Sequence, residues 1–214
     1  MKIAILLYPG FTALDAIGPY HAIASTPGYD FSFVAERPGP VSNGGSFTME
    51  AQVGIDELDA VDVLLVPGGL AAIQLAETGG PLIDWIRHVH PNTQWTTSVC
   101  TGALMLGAAG VLDGLNATTH WYCMDDLAKF GATPVHERVV QHGKVITAAG
   151  VSAGIDMGLS LVEQLASTEY AQAVQLDMEY DPSPPFNSGH PRSAPPEVYA
   201  FVKGMYDQML GRHT

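Results

Sequence analysis

Residues 93–109 read T-Q-W-T-T-S-V-C-T-G-A-L-M-L-G-A-A, and this stretch decides the fold. Thr93 to Val99 is a short β-branched, apolar run, the pattern of a buried strand. Ala103 to Ala109 reads as a helix packed on that strand. Cys100 stands at the junction, with only Thr101 and Gly102 before the helix and no room for a relaxed loop. A strand-to-helix turn this sharp exposes its apical side chain, as in a nucleophile elbow, with sulfur in place of hydroxyl. Backbone N–H groups at a helix start stabilise an anion, which predicts an unusually acidic thiol. A free cysteine is more often a small buried hydrophobe. The junction is what favours chemistry here.

Outward from the elbow, apolar strand-like runs alternate with helical segments. Lys2–Tyr8 reads as a strand and Thr12–Ser25 as a helix, which Pro19 should kink or shorten by its first turn. Asp30–Glu36 is a second strand. Val41–Ala51 carries Asn43-Gly44-Gly45, a turn signal for a small hairpin. Asp62–Val66 is a continuous apolar strand ending at Pro67-Gly68-Gly69. Pro81–His90 and Trp121–Phe130 read as helices, and Glu137–Gln141 with Lys144–Ala148 as a strand pair about His142-Gly143. Helices are expected over Ser152–Ala166, Glu169–Met178 and Pro195–Met209, the last after a Pro-rich connection at Asp181–Pro196.

Near-continuous apolar strands separated by helices imply an α/β fold, a doubly wound, mostly parallel sheet with helices on both faces. Ligands bind beyond the carboxyl ends of such strands. Four segments close strands with small or turn-forming residues: Tyr8-Pro9-Gly10, Pro67-Gly68-Gly69, Val99-Cys100-Thr101 and Ala148-Ala149-Gly150-Val151. All four are expected at one edge of the sheet.

A chain of 214 residues with 47% hydrophobic content fits one domain spanning 1–214. Its two cysteines, Cys100 and Cys123, make no disulfide framework, and Met1-Lys2 leads straight into a strand; together they imply a cytoplasmic protein. No apolar stretch has the length of a membrane span. Twenty-two acidic against nine basic residues give a net charge of −13, which argues against nucleic acid and anionic membranes as partners.

Asp15 lies one turn into the first helix, flanked by Ala13-Leu14 and Ala16-Ile17. Desolvation and a nearby thiolate both raise a carboxyl pKa, keeping it protonated and able to donate. The alternative is an acid placed at a helix start by the dipole. The Thr101 amide is the natural oxyanion donor, and the backbone N–H groups of Gly68, Gly69, Gly150 and Val151 can also face developing charge. His120, before Trp121, reads either as an acid–base partner or as a helix-cap histidine bonded to backbone; both residues are candidate pocket members. His120 and Cys123 have metal-ligand spacing, yet no second pair completes a site. H-E-x-x-H, G-x-G-x-x-G after a strand and G-x-x-x-x-G-K-[ST] do not occur, so metal, dinucleotide and nucleoside-triphosphate chemistry lack support.

Taken together these motifs resemble the ThiJ/PfpI superfamily, flavodoxin-like proteins with a cysteine elbow. The resemblance spans nearly the whole chain: Leu14-Asp15 with Gly18-Pro19, Val66 to Gly69, Ser98 to Gly102, Ala117 to Trp121, Val135 to Val140, Gly150 to Asp156, Glu179-Tyr180 and Pro184 to Asn187. Peptidase-like members carry histidine after the cysteine, where this chain has Thr101, and many relatives place glutamate where it has Asp15. Both features resemble the members that hydrate isocyanides; Val151 departs from the isoleucine expected there.

The resemblance implies an isocyanide as substrate, no cofactor, no metal and a homodimer. It also implies a mechanism in which Cys100 attacks the terminal carbon of R–N≡C and Asp15 protonates that carbon, giving a thioimidate. Ionised Asp15 then activates water, and a formamide is released. Two rivals stand beside this. One is a ligand-sensing module like those at the N-terminus of AraC-type regulators, which the acidic balance and the end of the chain at Thr214 disfavour. The other is a redox-responsive protein using the acidic thiol of Cys100.

Overall fold

The runs that read as continuously apolar become the inner strands of a seven-stranded sheet. The computed structural model of the protein describes residues 1–212. They form two compact units, Met1–Met178 and a second that begins at Glu179. The first unit begins β1 (Lys2–Leu6), α1 (Ala13–Ala24), β2 (Asp30–Ala35), β3 (Gly39–Ser42), β4 (Thr48–Ala51) and β5 (Val53–Gly54). It continues β6 (Val63–Val66), α2 (Leu70–Thr78), α3 (Pro81–Val89), β7 (Trp95–Val99), α4 (Gly102–Ala108) and β8 (Asn116–Ala117). A 3₁₀ helix over Trp121–Phe130 leads to β9 (Thr133–Pro134), β10 (Val139–His142), β11 (Val145–Ala148), α5 (Ala153–Leu165) and α6 (Thr168–Asp177). In the second unit the Pro-rich stretch precedes α7 (Pro196–Met209).

The large sheet has the order β10-β11-β7-β6-β1-β2-β5, and every pairing in it is parallel except β10 with β11. This is the doubly wound, flavodoxin-like arrangement expected from the sequence. β3 and β4 form the expected hairpin, with Val41 opposite Met49 across the Asn43–Phe47 loop. All four residues of β6 are buried, and so are all four of β11, because helices cover both faces. On α3, Leu82, Ile83, Trp85, Ile86 and Val89 turn inward while Asp84 and Arg87 stay outside, so a single apolar stripe docks it.

Register places the site. Ile5 pairs with Leu65, Leu65 with Thr97, Val66 with Ser98, and Val99 with Ala148. The carboxyl ends of β1, β6, β7 and β11 therefore share one edge, as expected. The chain reverses its direction of winding between β1 and β6, and that crevice is where doubly wound sheets take ligands.

Three local expectations change. Pro19 does not detach the first turn: α1 is continuous from Ala13 to Ala24. The ring forfeits one backbone bond, but α5 is packed hard against it. A Cβ on Gly158 would lie 2.9 Å from Pro19 Cα, and one on Gly154 would lie 3.2 Å from Pro19 Cδ. Trp121–Phe130 winds as a 3₁₀ helix rather than an α-helix. The β10–β11 turn sits at Gly143-Lys144, one residue later than read.

Candidate active site

Cys100 occupies the elbow between β7 and α4 with φ 57°, a left-handed conformation that L-residues adopt only when held there. Its amide is gripped from both sides of one turn, donating to the Ala148 carbonyl at 3.0 Å and to the Ala149 carbonyl at 2.9 Å. Its own carbonyl accepts the Thr119 hydroxyl at 2.8 Å. The Val151 and Thr101 amides donate to the sulfur. Val151, at φ 22°, is likewise held in an uncommon conformation, which aims that N–H.

Asp15 reaches the same place from α1. It is completely buried, and its Oδ2 accepts the Gly68 amide at 2.9 Å. The carboxyl pairs with the Cys100 thiol, and no N–H or O–H donor reaches Oδ1 among the described residues. Burial pushes its pKa up to about 7, against the pull of the Gly68 amide and then of Cys100. Asp15 does lie in the first turn of α1, as the helix-start alternative has it, but its carboxyl is turned away from water toward Gly68 and Cys100.

The structure corrects the expected acidity of the thiol. Burial first, and then the charge of Asp15, push Cys100 up to about 12, while the Val151 and Thr101 amides pull it down. The elbow supplies donors, but α4 has only seven residues and the sulfur lies in a nearly closed site. Acidity here belongs to the pair. On the alkaline side of neutrality Asp15 and Cys100 hold one proton between them, and when that proton sits on Asp15 the charge opposing a thiolate disappears.

Of the backbone donors expected at the sulfur, Thr101 and Val151 are there. Gly68 and Gly69 are at the site but are committed elsewhere. The Gly68 amide goes to Asp15, and the Gly69 amide goes to the Thr101 hydroxyl at 2.9 Å. That hydroxyl in turn donates to the Gly69 carbonyl at 2.8 Å, so Thr101 brackets one peptide of the loop after β6. Gly69 has φ 150°, and a Cβ there would run into the Gly10 carbonyl oxygen; only glycine lets these two loops meet.

His120 proves to be the cap. Its Nδ1 accepts the Tyr122 amide at 3.4 Å, and burial lowers its pKa to about 4, so the ring is neutral. The ring lies over Gly150, whose Cβ position is 3.0 Å from His120 Cδ2, and its centroid is 5.4 Å from that of Trp121. His120 thus forms a neutral wall beside the turn that carries Val151. Among the described residues no group of His, Cys, Asp and Glu is arranged to hold a metal.

The hydrogen bonds of two neighbouring hydroxyls escaped the sequence reading. Tyr8 is buried at the end of β1, donates its hydroxyl to the Pro67 carbonyl at 2.7 Å, and has its pKa raised by burial and by Asp15 and Cys100. Thr119 is the second. For both, the only sequence signal is a hydroxyl side chain beside a strand end.

Comparison with known proteins shows the family and the fold. The chain matches the model of the DJ-1/PfpI family over residues 1–164. It is 41% identical over 198 residues to isonitrile hydratase of Pseudomonas putida, covering 92% of this chain and 86% of that protein. It is 27% identical over 180 residues to the HTH-type transcriptional regulator CdhR of Pseudomonas aeruginosa, covering 79% of this chain and 52% of the regulator. A crystal structure of a ThiJ/PfpI family protein from Pseudomonas syringae superposes with a TM-score of 0.92 at 38% identity, covering 97% of this chain and 86% of that one.

Proposed function

The chain belongs to the DJ-1/PfpI family, and from that premise we propose that it is an isocyanide hydratase working through Cys100 and Asp15. The observation that carries this reading is the pairing of a buried thiol with a buried carboxyl whose pKa stands at about 7. Similarity to the isonitrile hydratase of Pseudomonas putida supports the substrate class, since isonitrile and isocyanide are one functional group.

The terminal carbon of R–N≡C accepts a nucleophile and then a proton. Sulfur bonds to that carbon while the proton shared by the pair passes to the same carbon from Asp15, giving the thioimidate R–N=CH–S–Cys100. The sequence of events adds S–H across one carbon, so no external acid is consumed. Asp15 Oδ2 stays fixed on the Gly68 amide, leaving Oδ1 to move the proton. Asp15, now a carboxylate, takes a proton from water as the oxygen attacks the thioimidate carbon. Asp15 hands that proton to the nitrogen and recovers one from the added hydroxyl as the C–S bond breaks, so the thiolate leaves, an N-substituted formamide departs and the one-proton pair is restored. The Thr101 and Val151 amides hold the sulfur when it is anionic at either end of this cycle.

A neutral substrate suits the walls of the site, where His120 is uncharged and Trp121 stands beside it. The cycle asks for no cofactor or metal, and the protein acts in the cytoplasm as a homodimer. No helix among the described residues is long and apolar enough to cross a membrane.

Incubation with an aryl isocyanide tests the reading. The formamide, followed by mass and absorbance, accumulates with the wild type and not with Cys100→Ala or Cys100→Ser. Serine is too weak an acid to replace the thiol without a dedicated base. A Cys100→Ser protein turning over near the wild-type rate, or a wild type that leaves the isocyanide intact, removes this function.

A further inference from the structure

The buried Thr119 directs its hydroxyl to neither the sulfur nor Asp15 but donates it to the Cys100 carbonyl at 2.8 Å. The Cys100 carbonyl begins the peptide that joins Cys100 to Thr101, and the other end of that peptide is the Thr101 N–H. This N–H is one of the two amides that donate to the sulfur. A trans peptide is planar, with its C=O and N–H pointing in opposite directions. Whatever fixes the oxygen therefore fixes the direction of the N–H.

We propose that Thr119 is a positioning residue for the thiolate: its hydroxyl, by holding the Cys100 carbonyl, keeps the Cys100–Thr101 peptide turned so that the Thr101 N–H points at the sulfur. Among the described residues its one other hydrogen-bond partner is the Ala103 amide at 3.4 Å, a long bond at the start of α4. The backbone also has a reason to swing away, because Cys100 sits at φ 57°. A carbonyl that accepts a hydrogen bond also polarises its peptide, and this strengthens the N–H at the opposite end.

The sequence separation shows how the device is built. Thr119 lies nineteen residues beyond Cys100, after β8 and just before the 3₁₀ helix over Trp121–Phe130. That same junction carries the His120 ring onto Gly150, next to the turn that aims the Val151 amide. One short segment thus braces both elements whose amides meet the sulfur. Among the described residues the titratable groups coupled to Cys100 are Asp15 from α1, Tyr8 after β1 and Cys123 from the 3₁₀ helix, and a substitution at Thr119 removes none of them.

The inference rests on Cys100 acting as a thiolate, which is the proposed function, but its test uses no isocyanide. Thiolate absorbance in the ultraviolet is titrated in an Asp15→Asn background, which removes the neighbouring charge, against matched proteins that also carry Cys100→Ala. Adding Thr119→Val, which keeps the shape and removes the donor, raises the midpoint by about one unit, so alkylation of Cys100 by iodoacetamide at neutral pH slows about tenfold. Thr119→Ser restores both. Should Thr119→Val fail to fold, Thr119→Ala removes the same hydroxyl with less bulk and gives the same shift. A midpoint unmoved by loss of the hydroxyl overturns the inference, as does a shift that Thr119→Ser fails to reverse. A wild type inert toward isocyanides would instead sink the hydratase and leave the Thr119 titration to stand or fall by itself.

Discussion

Asp15 Oδ2 accepts the Gly68 amide at 2.9 Å, so the acid that follows β1 is held by the loop that follows β6. The bond spans the point where the winding of the sheet reverses. It explains how a carboxyl with no basic partner among the described residues stays buried: one strong amide donor satisfies one oxygen, and burial keeps the proton near the other.

Replacing Asp15 by asparagine removes the transferable proton and the charge while keeping an acceptor for Gly68. Formamide production falls to near zero, yet iodoacetamide still labels Cys100. The thiol midpoint drops below that of the wild type, because the Asp15 charge is among the causes that raise it. Asp15→Glu keeps the acid and displaces it by about one methylene, and errors near 1 Å cost about a hundredfold. Near-normal rates in both variants would move the acid–base role to another group.

The pH profile follows from the pair. With Asp15 at about 7 and Cys100 at about 12, the pair carries two protons in acid and one proton across the alkaline side of neutrality. The two-proton form has an acid but no base to release the thiol. Turnover therefore rises as pH passes upward through about 7 and stays high until strongly alkaline pH strips the remaining proton. Asp15→Glu, which keeps the acid, retains the limb at its own lower rate. A rate that instead declines on raising pH through this region contradicts the shared-proton scheme.

The elbow was legible because it is local: a strand, a cysteine and a helix in one uninterrupted run fix where the side chain must stand. The gathering of Tyr8, Gly68, Cys100 and Gly150 at one sheet edge followed from parallel strands alone. What went unread is of two kinds. β5, β8 and β9 have two residues each, too few for any period, and α2 hides behind a glycine turn. The Tyr8, Thr101 and Thr119 hydroxyls bond carbonyls 59, 32 and 19 residues away, so neither propensity nor spacing announces them. The thiol pKa was misjudged for a related reason. Helix-start donors are visible in sequence, whereas the depth of burial that outweighs them is not.

Gly102 tests the packing behind the elbow. A Cβ there would strike the Val66 carbonyl oxygen and lie 2.8 Å from the Pro67 carbonyl oxygen, both backbone atoms of the neighbouring strand end. Gly102→Ala must push α4 off β6, at a cost of about 2–4 kcal/mol. Thermal unfolding of the variant shows this directly. Because Thr101 precedes it and brackets Gly69, the same displacement loosens Gly68 and with it Asp15, so turnover falls further than stability alone accounts for. An unchanged melting temperature would mean that the two elements are not in contact as described.

Asp15 also makes the fold pH-sensitive in a direction opposite to most carboxylates. Its pKa rises on folding from 3.8 to about 7, so between these values the folded state keeps a proton that the unfolded chain has released. Stability contributed by this group therefore declines as pH climbs through that window and remains lowered above it. Asparagine has no charge to bury. Asp15→Asn should melt higher than the wild type at about pH 8, and the gap should narrow as pH is lowered toward about 4, where both proteins carry a neutral side chain. Making the comparison in a Cys100→Ala background keeps the thiol, whose midpoint also depends on Asp15, out of the difference. Parallel melting curves for the two proteins across this range would show that the Asp15 carboxyl is hydrated, and the proton pair with Cys100 would fall with it.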